Sequence, residues 1–380
     1  MKTRNLCVVI CFLIGIASLS WAEMPGPNNA ITDVGGIYVG HYTGTHLTGT
    51  TVILANPSAV GGVSQRGGSP GTRETDLLNP VNRVDLVNAI VLSGGSAYGL
   101  ETASGVMQCL ENQGLGWPVG GGNVVPIVPA AILFDLGRCE TPFDYRPDFS
   151  FGLEACLSVE GGPVEQGNVG AGAGAVSGGL KGGIGTASVI LDNGIIIGAI
   201  VAVNSVGRTF DEKGNLYAAS FELDDEFDRL RHGKSDPGSK GKKHEKAQKN
   251  SDGLLKNTTI AVVATNVELT KAQVTKIAQM ADDGLTRAIR PSHTPYDGDT
   301  VFALGTGEIS MQTLGDPSFI VYQIGSAAAD VLSRAVVHAI LAAESTPCYA
   351  SYCDNFDKAC KKEKKEKKEK KEKKEKKSGK

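Results

Sequence analysis

The chain has 380 residues, of which 41% are hydrophobic and 21% charged, as is ordinary for a globular enzyme. Its net charge of −3 conceals a split: the last twenty residues hold 13 Lys and 5 Glu, so the rest of the chain is strongly acidic, and the overall charge excludes no class of partner. Its 49 glycines, about 13% of the chain against a usual ~7%, predict many tight turns or close backbone approaches.

Residues 1–22 predict a signal peptide. A basic start and an apolar run at 6–19 precede SWA at 20–22, which places small residues at the −3 and −1 cleavage positions. A membrane anchor is the alternative, but the run is shorter than the roughly 20 apolar residues that span a bilayer. We therefore expect cleavage after Ala22 and export, to a periplasm or the medium. No later segment is expected to be long and apolar enough to span.

Six cysteines remain after removal of the signal, and an even number in an exported chain favours disulfides. They are Cys109, Cys139, Cys156, Cys348, Cys353 and Cys360. Six cysteines allow fifteen pairings, and the sequence does not choose among them. Metal ligation by the last three is the alternative, but they lack a C-x-x-C pair and a nearby His. Disulfides are favoured, and no metal is predicted.

The first predicted elements are β-strands at 49–55 and 86–92, the second running through SGGSAYGL into a helix that includes Val106 and Leu110. A glycine-rich stretch follows at 167–185. It matches neither a P-loop nor a complete dinucleotide fingerprint. We therefore interpret these glycines as close-packing positions and predict no nucleotide cofactor.

A β-hairpin is predicted next, because Asp192-Asn193-Gly194 separates two apolar runs. Asn204 ends the second run. A side-chain amide at a strand end can donate to a developing oxyanion. The alternative is an Asn that merely terminates the strand.

The junction at residue 257 is the most informative feature of the chain. Residues 233–250 are lysine-rich and too polar to bury a core, so they predict a flexible linker, whereas TTIAVVATN at 258–266 predicts a buried strand. A linker that leads into a core strand starting on a hydroxyl residue suggests self-cleavage between Asn257 and Thr258. An N-terminal Thr supplies both a nucleophilic hydroxyl and, in its α-amine of pKa about 7.7–8.0, the base. The alternative is an uncut loop.

Beyond this junction, residues 270–289 predict a helix that begins with a capping box of Thr270 and Gln273. The last predicted elements are two strands and a helix, at 300–305, 318–324 and 326–344. Hairpins among the strands argue against a purely parallel sheet and favour a layered α/β sandwich.

Asp297 and Asp299 lie in HTPYDGDT, residues 293–300, just before a predicted strand. Two carboxylates this close couple electrostatically. The functional hypothesis is that they hold the amine and hydroxyl of the nucleophile. The alternative is a solvated turn, since Asp-Gly is common in turns.

Together these segments resemble the DmpA and β-peptidyl aminopeptidase family, in order and spacing, from about residue 25 to about 345. The matching segments are GGSAYGL at 94–100, GNVGAGAGA at 167–175, GGIGTAS at 182–188, NTTIAVVATN at 257–266, LTKAQ at 269–273 and HTPYDGDTVFALGTG at 293–307. The resemblance implies a four-layer αββα sandwich of the N-terminal-nucleophile-hydrolase type. It also implies a precursor that cuts itself into two chains that stay together, usually in homo-oligomers.

The resemblance assigns roles to residues. It implies that Thr258 is the nucleophile, that Asn257 contributes the cleaved carbonyl, and that Asn204 lies on the oxyanion side. It places Asp297 and Asp299 where the best-known members have Ser and Glu. Asp297 is thus a departure, since a carboxylate donates no hydrogen bond unless it is protonated.

The expected organisation is one catalytic domain made of two chains, 23–257 and 258–345, followed by a Cys-containing, Lys-rich tail at 346–380. The end of the tail holds no apolar residue, so we expect it to be disordered or a lone solvated helix. It is a candidate for binding anionic surfaces.

The predicted function is an exported aminopeptidase or amidase that acts through an acyl-enzyme on Thr258. Its substrate would be a peptide or small amide with a free amino terminus; no nucleic-acid partner is predicted. One alternative is an acyltransferase of the ornithine acetyltransferase type, whose substrates are cytosolic. The other is a non-catalytic exported binding protein, which would require loss of the nucleophile. The sequence leaves open whether the substrate is an α-peptide, a β-peptide, a D-amino-acid amide or a pantetheine-like amide.

Overall fold

The computed structural model describes residues 23–227, 257–356 and 359–360. The predicted signal peptide, the Lys-rich linker at 233–250 and the terminal lysine repeat lie outside these residues.

Thirteen β-strands and six α-helices occur in the described part of the chain. Strands β1 to β13 are Ile37–Thr43, Gly49–Gln65, Thr72–Arg73, Leu86–Ser93, Trp117–Gly120, Asn123–Val125, Ala130–Ile132, Val176–Ser177, Leu180–Lys181, Gly183–Ile190, Ile196–Val203, Ile260–Val267 and Thr300–Ile309. Helices α1 to α6 are Thr102–Asn112, Phe149–Leu157, Lys271–Ala281, Asp283–Ala288, Pro317–Ala342 and Tyr352–Asn355.

Nine of the strands form one sheet in the order β10-β11-β12-β13-β2-β4-β7-β3, with β1 also paired to β2. Most neighbours are antiparallel, whereas β12 pairs with β13 in parallel. The long strand β2 joins the two halves of the sheet. Its first half pairs with β1, its second half pairs with β13, and its register with β4 shifts between Leu54 and Ala59.

Three apolar clusters show that the two halves lie face to face. Along β12, Ile260 and Val262 contact residues of β2 and β4 in a middle cluster, whereas Ala261 and Val263 contact the cluster beneath α3, α4 and α5. A third cluster lies between β2 and β4 and the helices α1 and α2. Three apolar layers separate four structural layers, and the predicted αββα sandwich is confirmed.

The predicted strand at 318–324 is wrong, because these residues form the first turns of α5. Their aromatic and β-branched side chains favour strands locally. A helix start overrides this preference: the Asp316 side chain accepts a hydrogen bond from the Phe319 N–H at 2.8 Å, and Pro317 occupies the first turn. Burial of Ile320 and Ile324 against the sheet stabilises the helical arrangement.

Other predicted elements are confirmed with changed bounds. The helix at 270–289 begins at the predicted capping box but is divided into α3 and α4 at Asp282. The helix after SGGSAYGL starts as a 3₁₀ segment, Ser96–Glu101, before α1. The hairpin joins β10 to β11 around Gly194, whose positive φ of 80° suits a residue without a side chain.

Helix α5 is also long and apolar enough to cross a membrane, contrary to the expectation that no later segment would be. In the folded protein, however, 83% of its most apolar 18-residue stretch is buried. Its composition is that of a core helix, packed on β10 and β11.

The six cysteines form three disulfides, as predicted over metal ligation: Cys109–Cys156, Cys139–Cys348 and Cys353–Cys360. The folded region extends past residue 345 into the predicted tail. Tyr352 is 1% exposed, and its hydroxyl donates to the Gly214 carbonyl at 2.5 Å.

A buried group of charges ties α5 to the residues before the linker, and we name Glu226, Arg334 and His338 the α5 ion cluster. Both Glu226 oxygens accept from Arg334, at 2.5 and 2.7 Å, and one is 2.8 Å from His338 Nε2. Arg334 also donates to the Ser188 carbonyl. Burial raises the pKa of Glu226, but the bonds to His338 and Arg334 outweigh it and hold this pKa at about 2.

Candidate active site

The sheet brings the predicted site residues to one edge. Strand β11 runs antiparallel to β12, so Asn204, which follows β11, lies beside the start of β12. Strand β13 runs parallel to β12, so the loop that carries Asp297 and Asp299 reaches the same edge. A bridge between Asn257 and Asp297 extends this parallel pairing to the junction with Thr258.

Thr258 is 4% exposed and is held on three sides. Its hydroxyl donates a hydrogen bond to the carbonyl oxygen of the preceding residue, Asn257. The same oxygen, Oγ1, accepts from the Gly298 N–H at 3.1 Å, and the Thr258 N–H donates to the Asn204 carbonyl at 2.6 Å. The hydroxyl thus lies against the peptide bond that the sequence predicts to be cut.

Asn257 is fixed by its side chain and its backbone. Its side-chain amide donates to the Val176 carbonyl at 3.0 Å, and its N–H points to the Tyr296 carbonyl at 3.4 Å. Asn257 is restrained on one side of its carbonyl carbon and the Thr258 N–H on the other. The carbonyl carbon is therefore held beside Oγ1, as attack by this oxygen would require.

The two predicted carboxylates hold the backbone near Thr258. Asp297 accepts from the Val206 N–H at 3.1 Å and from the Thr294 hydroxyl. Asp299 accepts from the N–H of Thr259 at 2.8 Å. The group that contacts Oγ1 is the N–H of the glycine between them, a contact that the sequence analysis did not anticipate.

A histidine and a third carboxylate extend this arrangement. His293 donates its backbone N–H to Asp299 Oδ2 at 2.9 Å, and its Nδ1 lies 3.0 Å from the same oxygen. On the other side, Nε2 is 3.4 Å from Asp282 Oδ1. The other oxygen of Asp282 accepts from the Ser64 hydroxyl at 2.7 Å. A carboxylate, an imidazole and a second carboxylate therefore lie in a row, and the first of them, Asp299, contacts the residue after Thr258.

The pKa values of Asp282, Asp297 and His293 are displaced. Burial raises the pKa of Asp282 to about 6, despite the hydrogen bond from Ser64. Burial and the charge of Asp299 raise the pKa of Asp297. Burial alone would lower the pKa of His293, but the bond to Asp299 and the charge of Asp282 raise it overall. Two coupled carboxylates were predicted, and a buried group of three with an imidazole is found.

The Asn204 side chain is fully buried and bonded at both ends. Its Oδ1 accepts from Arg138 Nη1 at 2.5 Å and from the Val176 N–H at 2.9 Å. Its Nδ2 donates to the Phe134 carbonyl at 3.2 Å, which uses one of its two hydrogens.

Two buried cations near Asn204 escaped the sequence analysis. Arg138 is 7% exposed, and Lys181 is 1% exposed and donates to the carbonyls of Gly172 and Gly182. Burial, reinforced by the charge of Arg138, lowers the pKa of Lys181 to about 7. A lone lysine within the run GGLKGG was the available signal, because such a run leaves little room to expose a charge.

The glycine-rich stretch packs against other backbone. A Cβ at Gly172 would lie 2.4 Å from the Ile184 nitrogen, and one at Gly185 would lie 2.1 Å from the Ala335 carbonyl on α5. The predicted close-packing role is confirmed at these positions. Across residues 23–227, 257–356 and 359–360, no group of three His, Cys, Asp or Glu side chains is arranged to hold a metal ion.

Known proteins are similar to this chain in sequence and in fold. Peptidase family S58 matches residues 29–352. An uncharacterized aminopeptidase of Mycobacterium leprae is 45% identical over 359 residues, which cover 88% of this chain and 96% of the relative.

Two solved structures share the fold. A Burkholderia β-aminopeptidase has a TM-score of 0.62 at 23% identity and covers 89% of this chain and 96% of its own. The L-aminopeptidase D-Ala-esterase/amidase of Ochrobactrum anthropi, a variant of the N-terminal-nucleophile hydrolase fold, has a TM-score of 0.60 at 21% identity and covers 88% and 96%. These structures establish the fold, and the family match over most of the sequence establishes the relationship. The chain therefore belongs to peptidase family S58, the DmpA and β-peptidyl aminopeptidase family.

Proposed function

We propose that this protein is an exported, self-cleaving aminopeptidase or amidase with Thr258 as its nucleophile. The observation that carries the proposal is the hydrogen bond from the Thr258 hydroxyl to the Asn257 carbonyl, since it places the attacking oxygen beside the bond to be cut. Membership of a peptidase family supports hydrolysis as the reaction class.

Self-cleavage would proceed as an N-to-O acyl shift. Oγ1 attacks the carbonyl carbon of Asn257, the C–N bond breaks, and the hydroxyl proton is transferred to the departing nitrogen of Thr258. Water then hydrolyses the ester and leaves a carboxylate on Asn257 and a free amine on Thr258. The Gly298 N–H, at 3.1 Å, orients Oγ1 for the attack.

The released amine would remain where it is needed. In the uncut chain the Thr258 nitrogen donates to the Asn204 carbonyl at 2.6 Å, and this acceptor can hold the amine after the cut. The amine takes the proton of Oγ1 as Oγ1 attacks the substrate carbonyl carbon, and the proton passes to the leaving amine. The second Nδ2 hydrogen of Asn204 would donate to the oxyanion, and water would hydrolyse the acyl-enzyme.

The proposed substrate is a peptide or small amide with a free amino terminus. Relatives named as aminopeptidases support this class. The buried carboxylates of Asp297 and Asp299 lie beside the nucleophile and would attract the substrate ammonium.

Export, assembly and surface attachment belong to the same proposal. Three disulfides suit an oxidising compartment, as expected after removal of residues 1–22. We propose that the two cleaved chains stay together in a homo-oligomer. The lysine repeat at the end of the chain would bind anionic surfaces at low salt.

The test is mass spectrometry of the purified protein, after a reducing denaturing gel. Two chains, 23–257 and 258–380, are expected from the native sequence and from Thr258→Ser, whereas Thr258→Ala should stay uncut. Thr259→Ala is the matched control and should be cut normally, because the next threonine contributes its N–H, not its hydroxyl, to Asp299. A cut at another bond, or a cut Thr258→Ala chain, would overturn the assignment.

A further inference from the structure

We propose that Arg138 is a positioning residue for the Asn204 side chain and that the Cys139–Cys348 disulfide holds Arg138 in place. The inference rests on the proposed function, in which Asn204 supplies a hydrogen bond to the oxyanion.

Arg138 fixes which end of the amide faces the reaction. Its Nη1 donates to Asn204 Oδ1 at 2.5 Å and to the Gly174 carbonyl at 2.9 Å. A guanidinium has donors only, so a reversed amide would place an NH₂ group against a buried cation. The Val176 N–H, which also donates to Oδ1, imposes the same orientation. The NH₂ group of Asn204, and not its oxygen, is thereby turned toward the proposed oxyanion.

The charge of Arg138 also strengthens that donor. A charged donor on the carbonyl oxygen polarises the amide and makes its N–H groups better donors to an anion. Burial lowers the pKa of Arg138, but the charges of Asp135 and Tyr349 oppose this effect. A guanidinium stays protonated in proteins, so Arg138 is a cation bonded to the Asn204 amide.

A covalent anchor lies directly beside Arg138. Cys139 is the next residue and is bonded to Cys348. Cys139 and Glu140 have φ values of 49° and 67°, in the left-handed region that non-glycine residues rarely adopt and that the surrounding structure must support. The disulfide provides such support at the point where the chain leaves Arg138.

The far side of the disulfide is itself fixed. The Ala350 carbonyl accepts from the Lys181 N–H at 2.8 Å, and Tyr352 is buried two residues later. Residues 348–352 therefore form a strap, anchored to β9 and to the core, from which Cys348 reaches the arginine loop. The strap belongs to the segment that the sequence analysis assigned to a tail.

A double-mutant cycle tests the role of Arg138. Arg138→Gln should lower kcat on a small amide by about 10²-fold, the scale of a 1 Å misplacement, with KM little changed. The kcat of Arg138→Lys should lie between those of the native enzyme and Arg138→Gln. An ammonium can still donate to Oδ1 but lacks the planar geometry of the guanidinium. In an Asn204→Ala background, Arg138→Gln should add little further loss. Equal losses in both backgrounds would overturn the inference.

The disulfide gives a second test that does not depend on replacing the arginine. Cys348→Ser should lower kcat without raising KM, whereas Cys360→Ser, which opens the neighbouring Cys353–Cys360 disulfide, should not. Thermal unfolding and gel filtration establish that both variants are folded and assembled. Equal kcat values for the two variants would remove the anchoring role. Amide turnover by Thr258→Ala would instead refute the proposed function, so the two failures are distinguishable.

Discussion

Two groups of buried charges in this protein are built in opposite ways. In the α5 ion cluster, both oxygens of Glu226 accept from the Arg334 guanidinium, and the pKa of Glu226 is held at about 2. In the candidate active site, Asp282 and Asp297 are buried, the pKa of Asp297 is raised, and that of Asp282 is raised to about 6.

The difference separates stabilisation from chemistry. A carboxylate whose pKa falls on folding stabilises the fold when it is charged. A carboxylate whose pKa rises on folding destabilises the fold when it is charged. The α5 ion cluster joins residues before the linker to the long core helix. The candidate site has an unfavourable arrangement of charges beside Thr258, as functional sites commonly do.

The largest expected effect is in the candidate active site. Asn204→Ala should lower kcat by about 10²–10³-fold, the usual effect of removing an oxyanion donor. The measurement is turnover of a small amide by correctly cut, folded protein. Full activity in such protein would reduce Asn204 to a residue that ends a strand.

Glu226→Gln should lower stability while leaving the site intact. The drop from the ordinary pKa of 4.5 to about 2 corresponds to about 3 kcal/mol at neutral pH. Because the folded pKa is depressed, this contribution is present above pH 4.5 and lost as pH falls through 2. Urea unfolding of the Thr258→Ala chain at pH 7 and across the acid range measures it. The exposed Glu212→Gln is the control, and equal losses in both would contradict the contrast.

Gly298→Ala should displace Thr258 Oγ1 and have little effect on the rest of the fold. A Cβ there would lie 2.6 Å from the Ser69 carbonyl and 3.0 Å from Thr258 Oγ1, so the loop must shift. A displacement of about 1 Å predicts a loss of about 10²-fold in the rate of self-cleavage. Gly161→Ala, whose Cβ would meet Tyr38 at an ordinary 3.6 Å, should be cut at the native rate. Unchanged cleavage in Gly298→Ala would mean that its N–H does not position Oγ1.

Asp282→Asn should have the smallest effect on stability and an opposite pH signature. The pKa of Asp282 is raised from 3.8 to about 6, so its contribution to stability is lost as pH rises from about 4 through 6. An amide oxygen can still accept from the Ser64 hydroxyl. The variant should be as stable as the native chain at pH 7, or more stable by about 1 kcal/mol. A loss at pH 7 as large as that of Glu226→Gln would erase the contrast between the two regions.

The sequence predicted the layers of the fold better than the limits of its elements. The strand at 258–266 and the hairpin at Asp192–Gly194 follow from local patterns that the structure preserves. The prediction of a strand at 318–324 was wrong because the packing of α5 and its cap at Asp316 outweigh local β propensity. The bending of β2 between two layers depends on pairing with distant strands, which no local pattern shows.

The candidate site was predictable where motifs mark it and not where distant elements meet. Thr258, Asn204 and the Asp297–Asp299 pair lie at one sheet edge, and their chemical roles remain predictions. Arg138 and Asp282 were missed because neither lies in a sequence motif that marks a site. Their importance arises from contacts with Asn204 and His293, which only the folded chain creates.

The Cys139–Cys348 disulfide crosses the proposed cut, with one cysteine on each side of the Asn257–Thr258 bond. It is the only one of the three disulfides in the described chain to do so. Once cleavage has occurred, an oxidised molecule unfolds and refolds as one covalent unit, at a rate independent of concentration. A reduced molecule must bring two separate chains together, so its refolding becomes concentration-dependent. The redox state of the compartment would thus decide whether the cut protein can recover from unfolding.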